Sequence, residues 1–257
     1  MLFLKFVAAV AAVAVLSLGF GGCMSSPRDD LYRPHTLTSP TQQADPAAPD
    51  ELWAVLPPLN ESGTTAVDPL SVGDAIVASI QQVQGLSALS MNRTLQSMAA
   101  LDLGPTPSLS PADIRMLAEA MGVDAVVVPS ITAYNPYDPP VFGLTLALQR
   151  RDTRLADDSF DPRRLVRAPV DPSLVQPTTF ATRPTSVVSA HLDAQNHAVL
   201  AAVRSYAVGR HDPTDALAWR KYTASMPLFT EFATQYTVRR LLERETPPST
   251  VASVENP

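Results

Sequence analysis

The chain has 257 residues, 46% apolar and 17% charged, enough apolar material for one packed domain with tails or at most two small domains. Twenty-five prolines against ten glycines send much of the chain into loops and tails, because proline cannot sit inside helices and strands. A formal charge of −6, with only Lys5 and Lys221 beside seventeen arginines, argues against a nucleic-acid binder, which needs net positive surface to displace counterions.

The N-terminus carries the strongest local signal. Lys5 supplies a positive start, Phe6 to Phe20 is a long apolar run, and the small residues Gly21 and Gly22 lead to Cys23. That charge, apolar, small order is the pattern of a secretory signal peptide. Cys23 is the only cysteine, so no internal disulfide forms. Residues 1–22 resemble a bacterial lipoprotein signal, which implies that Cys23 is acylated, with palmitate among its chains, and becomes the first mature residue. Phe20 and Gly21 stand where leucine and alanine or serine are usual. The alternative is an uncleaved membrane anchor, since Leu2 to Gly22 nearly spans a bilayer if the Lys5 stem reaches back to the interface. On either reading the body lies outside the cytoplasm, tethered to a membrane. Met24, rather than aspartate, follows the cysteine, and the same resemblance then implies the outer membrane of a two-membrane bacterium. Residues 23–50 are rich in Ser, Pro, Asp, Thr and Gln with no apolar period, and are expected to form a flexible tether.

A single domain is expected over 51–245. Leu52 to Leu56, closed by Pro57 and Pro58, reads as a buried strand, and Asn60 to Gly63 as a loop. Asp68-Pro69 caps a helix to about Val83, with Leu70, Ile76, Val77, Ile80 and Val83 on its apolar face. Leu86 to Met91 reads as a strand and Asn92 as the cap of a helix through Leu101. Ser110-Pro111, with Asp113 in the first turn, starts a helix that stops at Gly122. Ala125 to Val128 begins a central buried strand that continues past Pro129 to Tyr134 and breaks at Asn135-Pro136. Val141 to Gln149 alternates as a strand. Val187 to Leu192 and His197 to Val208, around the turn at 193–196, read as a β-hairpin. Residues 151–185 read as a long loop insertion. Asp212-Pro213 reads as the cap of a helix from Thr214, with a break or new cap at Ser225 and Pro227 and a helix to about Glu243. Residues 246–257 read as a disordered tail. Strands alternating with helices predict an α/β fold with a mixed sheet, parallel in its first half and antiparallel in its second, with helices packed on it.

The segments AVLPPLNES, VDPLSVGDAIVASI, GLSALSM and AMGVDAVVVPSITAY, followed by strands with a LDAQNHAVLAAV turn, together resemble the small α/β domain of several bacterial envelope lipoproteins and their relatives. Among these are the amino-terminal domain of TolB, the penicillin-binding-protein activator LpoB and the curli-secretion protein CsgG. The likeness covers about 51–150 and, more loosely, 186–243. It implies a protein that binds or assembles other envelope proteins and is not an enzyme.

The residues themselves offer little chemistry. His191, Asp193 and His197 flank a turn, but polar hairpin edges explain them better than a metal site. No G-x-S-x-G elbow, phosphate loop or zinc spacing occurs, so no catalytic residue, cofactor or metal is expected. The arginines and aspartates of 150–167 read as a solvated loop, with anionic lipid or cell-wall polymer as the sharper alternative. Tyr134, Asn135, Tyr137 and Asp138, in the Tyr134–Pro140 loop, are the candidate interaction edge, because a rigid sheet would hold that loop in place. The expected partners are membrane lipid through Cys23 and another envelope protein. The weighed alternatives are a secretion-pore component of the CsgG type, which needs long alternating strands, and an extracytoplasmic enzyme.

Overall fold

The computed structural model describes residues 34, 36–104, 109–150, 186–211 and 214–246. The signal with Cys23, the insertion read at 151–185 and nearly all of the C-terminal tail lie outside the described residues.

The fold is α/β, built on a mixed sheet. β2 (Glu51–Val55) lies between β5 (Leu86–Ala88) and β6 (Ala125–Asn135), and both pairings are parallel. β3 (Leu59–Asn60) joins β6 farther along, also parallel, through Ser130 and Ile131. β7 (Val141–Arg150) and β8 (Ser186–Asp193) then extend the sheet antiparallel, giving the order β5-β2-β6-β7-β8. The change from parallel to antiparallel therefore falls at β6, the strand that begins after Gly122.

Local sequence explains the elements of the parallel half. α2 (Pro69–Gln81) starts where the Asp68 side chain accepts the Leu70 N–H, with Pro69 in the first turn. α4 (Pro111–Met121) has a full capping box between Ser110 and Asp113, and ends at Gly122 with φ +66°, a left-handed conformation that glycine adopts without strain. Asp124 then locks β6 to β2, accepting the Leu52 N–H at 2.9 Å and donating its own N–H to the Leu52 carbonyl at 2.8 Å.

Pleating sends alternate residues to opposite faces. Trp53, Val55, Ala125 and Val127 face one core with α2 and the long C-terminal helix α7 (Met226–Glu245). Ala54, Leu56 and Val126 face a second core with α3 (Met91–Ala100) and α4, where Met98, Ile114 and Leu117 are buried. On β7 and β8 the first core continues through Leu144, Leu146, Leu148, Val188 and Ala190. α7 covers these strands and packs against α2, where the buried hydroxyls of Ser79 and Thr234 meet at 2.9 Å. Arg150 ties the sheet to α7: its guanidinium bridges Glu51 at 3.1 Å and Glu245 at 2.8 Å and lies 5.6 Å from the Trp53 ring centre.

Several expectations need correction. Leu70 is exposed rather than on the buried face of α2, because the cap places it at the solvent side of the first turn. Helix α2 ends at Gln81, and Val83–Gln84 (β4) pairs parallel with β1 (Leu37–Thr38). α3 begins at Met91 after Ser90, not after an Asn92 cap, and Leu59–Asn60 pairs as a strand rather than opening a loop. The tether is shorter than expected: β1 and α1 (Pro40–Ala44) lie on the domain, with the Ser39 side chain accepting the Gln42 N–H and the Thr41 hydroxyl donating to Glu51. The expected hairpin at 187–208 does not form. Asn196 caps a helix, α5 (His197–Ala207), whose Val199, Val203 and Ala207 recur every four residues and are buried. The antiparallel hairpin is β6–β7 instead. No helix starts at Thr214: a 3-10 turn (Ala218–Arg220) leads into the short α6 (Lys221–Ala224) and then α7.

Candidate functional site

Strand β6 runs on through Tyr134 and Asn135, so the loop expected from Tyr134 is shorter than predicted. Its pairing with β7 shifts register between Ile131 and Ala133. Gly143 sits under that shift, where a Cβ would lie 2.5 Å from Thr132 Oγ1 and 2.7 Å from the Ala133 nitrogen, so no other residue fits without movement. The Tyr134 ring then stands edge-on to Phe142, with centroids 6.0 Å apart. Asn135 Oδ1 accepts the Tyr137 N–H at 3.2 Å and shapes the turn, and the Asp138–Pro139 peptide is cis. The Pro140 carbonyl accepts the Ala194 N–H at 3.0 Å, which joins this turn to the one after β8.

The four candidate residues divide accordingly. Tyr134 is half-buried, and burial pushes its hydroxyl pKa up, so it stays a neutral phenol at physiological pH. Asn135, Tyr137 and Asp138 are exposed, Tyr137 to 79%.

Tyr134 also lines a cleft of about 360 Å³ between the starts of α2 and α7, together with Val67, Asp68, Ser71, Pro227 and Glu231. The Ser71 hydroxyl donates to Asp68 at 2.6 Å, and that bond above all holds the Asp68 carboxyl below its ordinary range. The cleft therefore offers two carboxylates, a phenol and an apolar floor. That combination can accept amine, guanidinium or peptide N–H donors. The Asp68-Pro69 cap was visible in the sequence. Its neighbourhood with Pro227 and Glu231 was not, because it depends on how two helices far apart in the chain pack.

The other candidates are dispersed. Cys23 lies outside the described residues. His191 and Asp193 are on β8, and His197 opens α5 beyond the turn; Asp193 Oδ1 accepts the Gln195 N–H at 2.8 Å. Among the described residues no group of three His, Cys, Asp or Glu side chains could hold a metal ion, and no helix is long and apolar enough to cross a membrane.

No protein-family model matches the chain, and no curated protein matches it. Solved structures similar to it include bacterial lipoproteins. The lipoprotein GNA1162 from Neisseria meningitidis is 15% identical with a TM-score of 0.34, over 56% of this chain and 80% of that one. The LpoB C-terminal domain from Salmonella enterica is 14% identical with a TM-score of 0.32, over 42% of this chain and 78% of that one. The hypothetical protein CT253 from Chlamydia trachomatis is 14% identical with a TM-score of 0.33, over 77% of this chain and 93% of that one. At these values the likenesses say nothing of ligand, partner or activity.

Proposed function

We propose that this chain is a membrane-anchored lipoprotein of the bacterial cell envelope, held on the outer membrane and facing the periplasm. Its domain serves as a non-catalytic interaction and assembly module for other envelope proteins. The observation that carries the reading is the signal Lys5, Phe6 to Phe20, Gly21-Gly22-Cys23, with no other cysteine in the chain. The resemblance of residues 51–150 to envelope lipoprotein domains supports the same address and the same kind of work. The exposed end of the β6–β7 hairpin and the acidic cleft behind it supply a surface suited to a protein partner, with Tyr137 as an aromatic anchor at its edge.

Metabolic labelling of the full-length chain with radioactive palmitate tests the anchor. Wild type is expected to carry label in the membrane fraction, and Cys23→Ala to lose the label. Equal labelling of the two chains overturns the lipoprotein reading.

A further inference from the structure

We propose that the groove between α5 and α7 lies against the membrane and takes the headgroups of anionic phospholipids. This inference rests on the anchor at Cys23 proposed above. The groove begins at a cavity lined by Leu37, Tyr206, Arg210, Tyr236 and Arg239, and Arg240 lines the adjoining one beside Tyr236. Its floor is aromatic: Phe232 lies 5.6 Å from Tyr206 and 5.9 Å from Tyr236, between ring centres. Each of the two tyrosines carries an arginine, Arg210 at 4.4 Å from Tyr206 and Arg239 at 5.3 Å from Tyr236. Burial pushes the Tyr206 hydroxyl up to about 12, so the rings stay neutral and the arginines set the charge of the groove. Cations held on aromatic rings are kept out of the core yet remain able to bind phosphate.

Two carboxylates oppose them. Glu243 lies 3.5 Å from Arg239 and 3.9 Å from Arg240, but all three side chains are more than two-fifths exposed, and such pairs are weak. Glu231 lines the cleft on one side and its charge reaches Tyr206 on the other, so it offsets part of the positive charge at that end of the groove. Along the chain the charges are unevenly spread. Residues 34–150 hold eleven acidic and three basic residues, whereas 197–246 hold seven basic and five acidic ones. By net charge, an anionic surface therefore favours residues 197–246 over residues 34–150.

The chain itself points the same way. Leu37, in the first strand, lines the groove, so the domain's first strand lies beside it. Thirteen peptide steps lead from Cys23 to Thr36, a reach of at most about 45 Å. An anchor on such a lead keeps the domain within about one domain diameter of the bilayer, close enough for the groove to reach it.

The test is arginine footprinting on the full-length chain in proteoliposomes, with phenylglyoxal as the probe and peptide mass spectrometry as the readout. Vesicles of phosphatidylcholine are compared with vesicles rich in phosphatidylglycerol. Arg210, Arg239 and Arg240 are expected to react about fivefold more slowly on the anionic vesicles, the factor that one basic side chain's attraction to such a surface provides. The protection should vanish at about 1 M salt, where the screening length falls to about 3 Å. Arg93 and Arg115, in the net acidic stretch 34–150, should react equally on both. Equal rates for the groove arginines on the two lipids overturn the proposal. So does protection that appears on phosphatidylcholine and grows with protein density, which would show a second copy in the groove. Flotation separates the anchor from the groove. A chain that floats with both lipids but shows no protection keeps its anchor and loses the groove. One that floats only with anionic vesicles, with protected arginines, keeps the groove and loses the anchor, and one that floats with neither overturns both.

Discussion

The two halves of the sheet are built to different plans. β5, β2 and the start of β6 are parallel, with helices on both faces, and the centre of the set, Trp53 to Val55 and Ala125 to Val127, is buried whichever way its residues point. β7 and β8 are antiparallel and carry α7 on one face. On the other face Val187, Ser189 and His191 are exposed, and Thr145 donates to Ser189 at 2.9 Å in the open. A parallel sheet must be covered twice, whereas an antiparallel one can leave a face to solvent. The parallel half is therefore scaffold, and the surfaces available for recognition gather where the second half begins: the hairpin end, the cleft beside it and the groove over α7. Along the chain, residues 34–150 are net acidic and residues 197–246 net basic.

The largest effect tests whether the halves are one unit. Phe229 is completely buried on α7, in the core shared by β2, β6, β7 and α2. Phe229→Ala should cost about 3–5 kcal/mol, from lost burial and the cavity left behind. Urea unfolding followed by circular dichroism should show one transition moved to lower denaturant with its slope kept. Two separated transitions would mean that the parallel half folds without α7, and the comparison would become one of two domains.

The same division explains what could be read from the sequence. In the parallel half, propensity, pattern and caps agree: Asp68-Pro69, Ser110-Pro111, Gly122 and the run Ala125–Val128 each had one structural meaning. In the second half they conflicted. His197–Val208 is rich in β-branched and small residues behind a turn-like Asp-Ala-Gln-Asn, which suggested a strand. The spacing of Val199, Val203 and Ala207 and the Asn196 cap favour a helix, and packing on the core decides it. Ser39-Pro40 carries the same cap signal as Ser110-Pro111, but with no apolar run behind it. That short helix is held instead by contacts from far along the chain, Thr41 with Glu51 and Ser39 with Gln84. The four hairpin residues were legible as a group, yet the share each gives to structure or surface was not. That share depends on Phe142 and on the register shift at Thr132, which only pairing reveals.

An intermediate effect probes the join between the halves. Arg150, at the end of β7, holds Glu51 of β2 and Glu245 of α7 together, with side-chain exposures of only 24%, 12% and 8%. Arg150→Ala leaves two carboxylates poorly compensated and should cost about 2–3 kcal/mol, less than a fully buried pair because the guanidinium is partly wet. Glu51 also gives this join a pH dependence. Burial by itself raises its pKa, but hydrogen bonds from Thr41, Trp53 and Arg150 together outweigh burial and hold the carboxyl below its ordinary range. A carboxyl lowered on folding adds stability that is complete above its unfolded titration, at about pH 4–5, and fades as pH falls through the folded value. Glu51→Gln should therefore flatten part of the acid limb of a stability–pH curve. An unchanged acid limb would remove Glu51 from the join.

The smallest effect on stability separates scaffold from surface within the hairpin itself. Tyr134 packs edge-on against the fully buried Phe142, and Tyr134→Ala should cost about 1–2 kcal/mol, from the lost ring contact and partial burial. Tyr137 is only three residues on, yet 79% of it is exposed, and Tyr137→Ala should stay within about 0.5 kcal/mol of wild type. If the hairpin end meets another envelope protein, the order reverses for binding. A photo-crosslinking residue at position 137 of the full-length chain should then give adducts that the same probe at exposed Ala120, on α4 of the scaffold half, does not. Matching adducts at 137 and 120 would show that the hairpin has no special claim as an interface. A large loss of stability in Tyr137→Ala would instead return the whole turn to the scaffold.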